Sequence, residues 1–157
     1  MATIKSPRIR ALALPGTGVG GARFSLYKEA YARINEVMAK GFFLEAIALE
    51  ESLIADRLES RISFLTQSDF GFRTLEKLIS QVAGKETDGQ FKNLVTVDLD
   101  PWRVQRNTAL HEMAKLADGD TSAWADRMKN AEAAARKGLN VLRKIDHRFK
   151  QLRRAGK

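Results

Sequence analysis

One short stretch of this sequence combines residue types suited to chemistry at a phosphate: Arg106-Asn107-Thr108-Ala109-Leu110-His111. Arginine stays charged and can hold two phosphate oxygens as negative charge builds on them. Histidine titrates near neutrality, so it can take a proton from an attacking hydroxyl or give one to a leaving oxygen. Cleaving RNA needs no protein nucleophile, because the ribose 2′-OH attacks the neighbouring phosphate once a base takes its proton. The Arg-to-His offset separates the two side chains by about 140° around a helix, which suits a cleft between helices better than one exposed face. Asn107 and His111 share a second face, where the Asn amide can orient the imidazole. Arg106 itself falls within the apolar stripe of Trp102, Ala109 and Met113. A guanidinium among apolar side chains is costly unless an anion meets it. Glu51 interrupts the apolar stripe of an earlier helix and could meet it in the interior. Two readings stay open: a catalytic Arg106 and His111, or a structural Arg106–Glu51 pair beside an ordinary surface histidine.

Other site chemistries have less support. The chain has no cysteine, which removes thiol catalysis, disulfides and zinc–thiolate sites and fits a reducing cytoplasm. His111-Glu112 opens a string like HExxH, but Lys115 stands where the second histidine belongs, and His147 is the only other histidine. We therefore expect no metal and no other cofactor. No serine is tied to a base. Gly16-Thr-Gly18-Val-Gly-Gly21 fits GxGxxG, yet the residues after Gly21 read as helix upon helix rather than a βαβ unit, and Glu36 lies inside a helix. A P-loop fails as well, since Ala22-Arg23 occupies the Lys-Ser/Thr positions. The glycines read as a linker.

Apolar spacing sets out the elements that must carry these residues. A helix is expected from Ser25 to about Lys40, ended by Gly41. Phe42 to Leu65 carries two apolar stripes, the mark of a central helix packed on two sides. A shorter helix is expected from Thr74 to Val82, stopped by Gly84. A loop containing the alternating Val95, Val97 and Leu99 comes next. Asp100-Pro101 reads as the start of the helix that bears Arg106, running to Gly119. The last helix begins at Asp120 or Thr121 and continues beyond Leu152, bent at Gly138 and longer than the domain needs. No internal repeat is visible. At 157 residues, with 44% hydrophobic and 29% charged side chains, the chain has the size and composition of one globular domain. The expectation is an all-α helical bundle with a long C-terminal helix.

Charge is uneven. Residues 127–157 hold eleven basic side chains against Glu132 and Asp146, a net +9. Residues 1–23, expected to be a flexible basic arm, contribute Lys5, Arg8, Arg10 and Arg23 with no acid, which leaves −5 on the middle. Two basic ends on an acidic body suggest a polyanion partner. Arg148, Lys150, Arg153 and Arg154 are the candidate nucleic-acid contacts. The run Ala11-Leu12-Ala13-Leu14 after Arg8 and Arg10 is cut off by Pro15-Gly16, too short for a signal peptide and far too short to span a bilayer. No membrane partner is expected.

A central two-sided helix followed by Arg106-Asn107-x-x-x-His111 on a later helix resembles the HEPN family, whose motif is Arg, four to six residues, then His. The likeness extends over about residues 24–154; residues 24–157 are taken as the domain. The resemblance implies a metal-independent endoribonuclease acting as a homodimer that brings two motifs together. It further implies a toxin–antitoxin, abortive-infection or defence setting, with a neutralising antitoxin or other defence partner. Arg106 would bind the phosphate, His111 would transfer the proton, and Asn107 would orient the histidine or touch RNA. A two-fold dimer would also supply the second acid–base group that one His111 lacks. The rival classes are a non-catalytic nucleic-acid-binding protein using the +9 helix, and a helical adaptor or antitoxin in which Arg106–Glu51 is structural.

Overall fold

A computed structural model describes residues 8–68 and 71–157, and those residues form an all-α bundle with no strand. No helix among them is long and apolar enough to cross a membrane. The first helix, α1 (Val19–Ala39), starts six residues before Ser25. Gly16 and Gly18 take left-handed φ values of 80° and 71°, which let the chain turn directly into it. Lys5 of the basic N-terminal segment lies outside the described residues. Arg10 is held against the body instead of reaching into solvent: it is 8% exposed, and its Nε donates to Asp56 Oδ1 at 3.1 Å. Arg23 Nη2 donates to the Ala11 carbonyl at 2.7 Å.

Gly41 reverses the chain after α1 with a φ of 79°, and Phe42 N donates back to the Val37 carbonyl at 2.8 Å. α2 (Phe43–Thr66) is the central helix expected from its two stripes, packed against α1, against α3 (Leu75–Lys85) and against the two later helices. Thr74 caps α3, its Oγ1 accepting from Lys77 N. α3 passes through Gly84, whose missing Cβ costs little one residue from the end.

The expected loop before Asp100 is helical instead. α4 (Gly89–Asn93) leads into a π-helical segment (Leu94–Leu99), which leads into α5 (Asp100–His111) without a break. Phe91, Val95, Leu99 and Trp102 are fully buried while Val97 is exposed, a spacing of three or four that outweighs the short alternation. The cap is Asp88, which accepts from Phe91 N at 2.7 Å; Asp100 accepts from Arg103 Nε instead. Pro101 therefore does not open the helix. In a regular α-helix its ring would clash with the Val97 carbonyl, and the wider π turn just before it relieves that contact.

The last helix, α6 (Trp124–Arg154), packs along α2 through Ala131, Ala135, Leu142, Ile145, Phe149 and Leu152. It has no free overhang at the C-terminal end. Leu152 is buried, and Arg61 Nη1 on α2 donates to the Lys157 carbonyl at 2.6 Å. Gly138 serves close approach: a Cβ there would lie 2.1 Å from Glu50 Oε2 and 2.7 Å from the Trp102 ring.

Candidate functional site

α5 packs against α2 and α3 so that Arg106 points into the seam between them. Its side chain is 10% exposed. Nη2 donates to Glu51 Oε1, Nη1 donates to Asn107 Oδ1, and Nε is buried without a partner. The interior pairing expected from the sequence is therefore formed, and Asn107 turns to Arg106 rather than to His111. Beside this pair lies a cavity of about 330 Å³ lined by Glu51, Thr74, Glu76, Arg103, Arg106 and Asn107.

His111 is the last residue of α5 and is exposed. It does not line that cavity, but it is close enough to act on Glu51. Burial pushes the Glu51 carboxyl above the usual carboxylate range, while the Arg106 charge and then His111 pull it back. Glu51 feels the charge of both motif residues, and of the two it is Arg106 that touches it. The cleft holds a fixed cation and a carboxylate that competes for it, and His111 is exposed outside its lining.

The four basic residues chosen on α6 separate into two kinds. Arg148 is engaged, Nη2 pairing with Asp88 Oδ2 at 2.5 Å and Nη1 donating to Gln151. Lys150 Nζ lies 2.6 Å from Asp146 Oδ2. Arg153 and Arg154 are exposed. Among the described residues no three His, Asp or Glu side chains converge as a metal site would require.

Several buried charges belong to no motif, and sequence reasoning passes over them. Glu50, next to the residue that interrupts the stripe, is the one that is fully buried, and neither of its oxygens has a hydrogen-bond partner. Desolvation pushes its pKa up to about 9. Arg57 pairs with Asp146 at 2.6 Å, its guanidinium 4.0 Å from the Tyr27 ring centre and 4.8 Å from that of Phe149. Arg61 forms a two-pronged pair with Glu86 at 2.6 and 2.8 Å. All three α2 residues sit among buried Leu and Ile, so the signal was their placement in the stripe. No family model, curated protein or solved structure matches the chain.

Proposed function

We propose that this chain is a HEPN-type, metal-independent endoribonuclease that cleaves through the RNA 2′-OH. The observation that carries the reading is Arg106 paired with Glu51 at the edge of a cleft, with the exposed His111 near enough for its charge to act on the same carboxylate. An RNA phosphate entering the cleft competes with Glu51 for Arg106, and the guanidinium then holds the oxygens on which charge builds. His111, exposed at the helix end, exchanges a proton with the 2′-OH or the leaving 5′ oxygen. Asn107 holds the guanidinium in the plane from which it meets the phosphate. A homodimer supplies a second His111, so that acid and base are both present. A toxin or defence role, with an antitoxin-like partner, belongs to the same proposal through the family resemblance.

A second reading rests on one specific observation: Glu51 and Asn107 already occupy both ends of the Arg106 guanidinium. That suits a non-catalytic adaptor or nucleic-acid-binding protein in which Arg106 only ties α5 to α2. Purified protein incubated with total RNA in excess EDTA separates the two. The enzyme leaves 2′,3′-cyclic or 3′-phosphate ends with 5′-hydroxyls, does not cut a substrate with deoxyribose at the cleavage site, and loses activity in His111→Ala. Cleavage that stops in EDTA and returns with magnesium, or equal products from wild type and His111→Ala, overturns the proposal.

A further inference from the structure

On another side of α2, a cavity of about 380 Å³ is lined, among the described residues, by four arginines and no carboxylate. Arg10 comes from the segment before α1, Arg23 from α1, Arg57 from α2 and Arg153 from α6, so the described part of the fold converges guanidinium groups from four places on one space. Like charges gathered this way repel one another, and proteins seldom gather them without an anion to offset the cost. Asp56 and Asp146 supply part of it. Asp56 meets Arg10 at 3.1 Å and Arg23 at 3.5 Å, and Asp146 meets Arg57 at 2.6 Å, but neither carboxylate lines the cavity. Asp146 is shared with Lys150, which further reduces what it can offset.

Glu59 also lies near enough to feel the Arg10 charge, but among the described residues Arg153 meets no carboxylate, so at least one guanidinium on the wall is left for an anion such as a phosphate monoester, which carries about −1.5 to −2 near neutral pH. A further observation concerns the rest of the wall. Ser60 and Ser63 of α2 line the same space, the Ser63 hydroxyl donating to the Ser68 carbonyl at 3.1 Å, as does Phe64, which is 48% exposed. A second cavity of about 160 Å³ shares Ser60, Phe64, Phe149 and Arg153 and extends the space toward Lys157. Guanidinium groups and hydroxyls recognise a phosphate, and an exposed ring beside them recognises an apolar or planar group attached to it.

We propose that this arginine-lined cavity binds a terminal phosphate group, a phosphate monoester dianion, with its organic part against Phe64. The site is independent of Arg106 and His111. The phosphate comes either from a small phosphate ester or from the phosphorylated end of an RNA strand.

Isothermal titration calorimetry of the full chain tests it with phenyl phosphate, inorganic phosphate, and one oligoribonucleotide carrying either a 5′-phosphate or a 5′-hydroxyl. Phenyl phosphate is expected to bind with a Kd below about 1 mM. Arg153→Ala, at an exposed position whose loss leaves the core intact, should weaken it by about tenfold. Ser60→Ala should weaken it severalfold, and Phe64→Ala should weaken phenyl phosphate more than inorganic phosphate. His111→Ala should bind as wild type does. A 5′-phosphate preference in the oligonucleotide, absent with the 5′-hydroxyl, identifies an RNA end as the source; tighter binding of phenyl phosphate identifies a small ester. No binding of any phosphate probe overturns the proposal. So does binding unchanged by both Arg153→Ala and Ser60→Ala, or binding abolished by His111→Ala, since the phosphate would then sit elsewhere.

Discussion

His111 closes α5 with its ring in solvent, so truncation to alanine removes no core contact. Its melting temperature should stay within about 2 °C of wild type, while RNA cleavage followed on a gel should disappear; a large loss of stability would show that the ring is structural. Arg106→Ala differs because it strands Glu51 in a half-buried site and leaves a gap under α5. We expect it to cost about 2–3 kcal/mol in urea denaturation in addition to activity, and unchanged stability would remove the basis for the interior pair. Glu50 gives a pH signature of its own. Its folded pKa, near 9, lies above the 4.5 of an ordinary glutamate, so the native state keeps a proton that the unfolded chain releases. Stability therefore falls as pH rises from about 4.5 to about 9, by about 3 kcal/mol at pH 7. Denaturation midpoints of wild type should decline across that window relative to Glu50→Gln. Parallel curves for the two proteins would mean that the carboxyl reaches water.

At the scale of elements, α6 closely approaches α2 and α5 at Gly138. Glu50 could swing away from a new methyl group, but Trp102 is fully buried and its Nε1 donates to the Ala134 carbonyl at 2.8 Å, which fixes the ring. Gly138→Ala should therefore destabilise by at least about 2 kcal/mol and lower the melting temperature by about 4–8 °C. A variant melting with wild type would show that α6 does not approach Trp102 this closely. Arg148 and Arg154 form a matched pair on the same helix. Arg148 binds the carboxylate that caps α4, so Arg148→Ala should lower the midpoint of thermal or urea denaturation, whereas Arg154→Ala, exposed, should leave it where it is. Equal effects from the two would remove the distinction between structural and solvent-facing cations on α6.

Across the whole molecule, the 27 Lys and Arg side chains overstate the positive charge that attracts a polyanion from a distance. Arg10, Arg57, Arg61, Arg106, Arg148 and Lys150 are tied to carboxylates inside the fold, and the pairs clamp α2 to its neighbours. Exposed cations such as Arg153 and Arg154 carry the long-range attraction. Replacing both with glutamine should lower the salt slope of single-stranded RNA binding by about 1.4, measured by filter binding over a range of salt. A slope equal to that of wild type would place RNA on another face.

The sequence by itself determined the helical class, the central position of α2 and the long last helix, because a period of three to four apolar residues survives whatever the helices pack against. It also determined that Arg106 needs an interior anion and that Glu51 stands within reach of the role. Tertiary structure decided the rest. Val95, Val97 and Leu99 alternate like a strand, but Phe91 and Trp102 bury one helical face and no neighbouring strand exists to pair with them among the described residues. Asp100-Pro101 has the form of a helix start, yet the turn before it is already docked on the core. Which of two adjacent glutamates is buried, Glu50 or Glu51, depends on a rotation of α2 of about 100°, and that rotation is fixed by Gly138 and Trp102 from distant parts of the chain. The four-arginine cavity had no sequence signature because its members lie far apart along the chain, and only packing brings them to one wall.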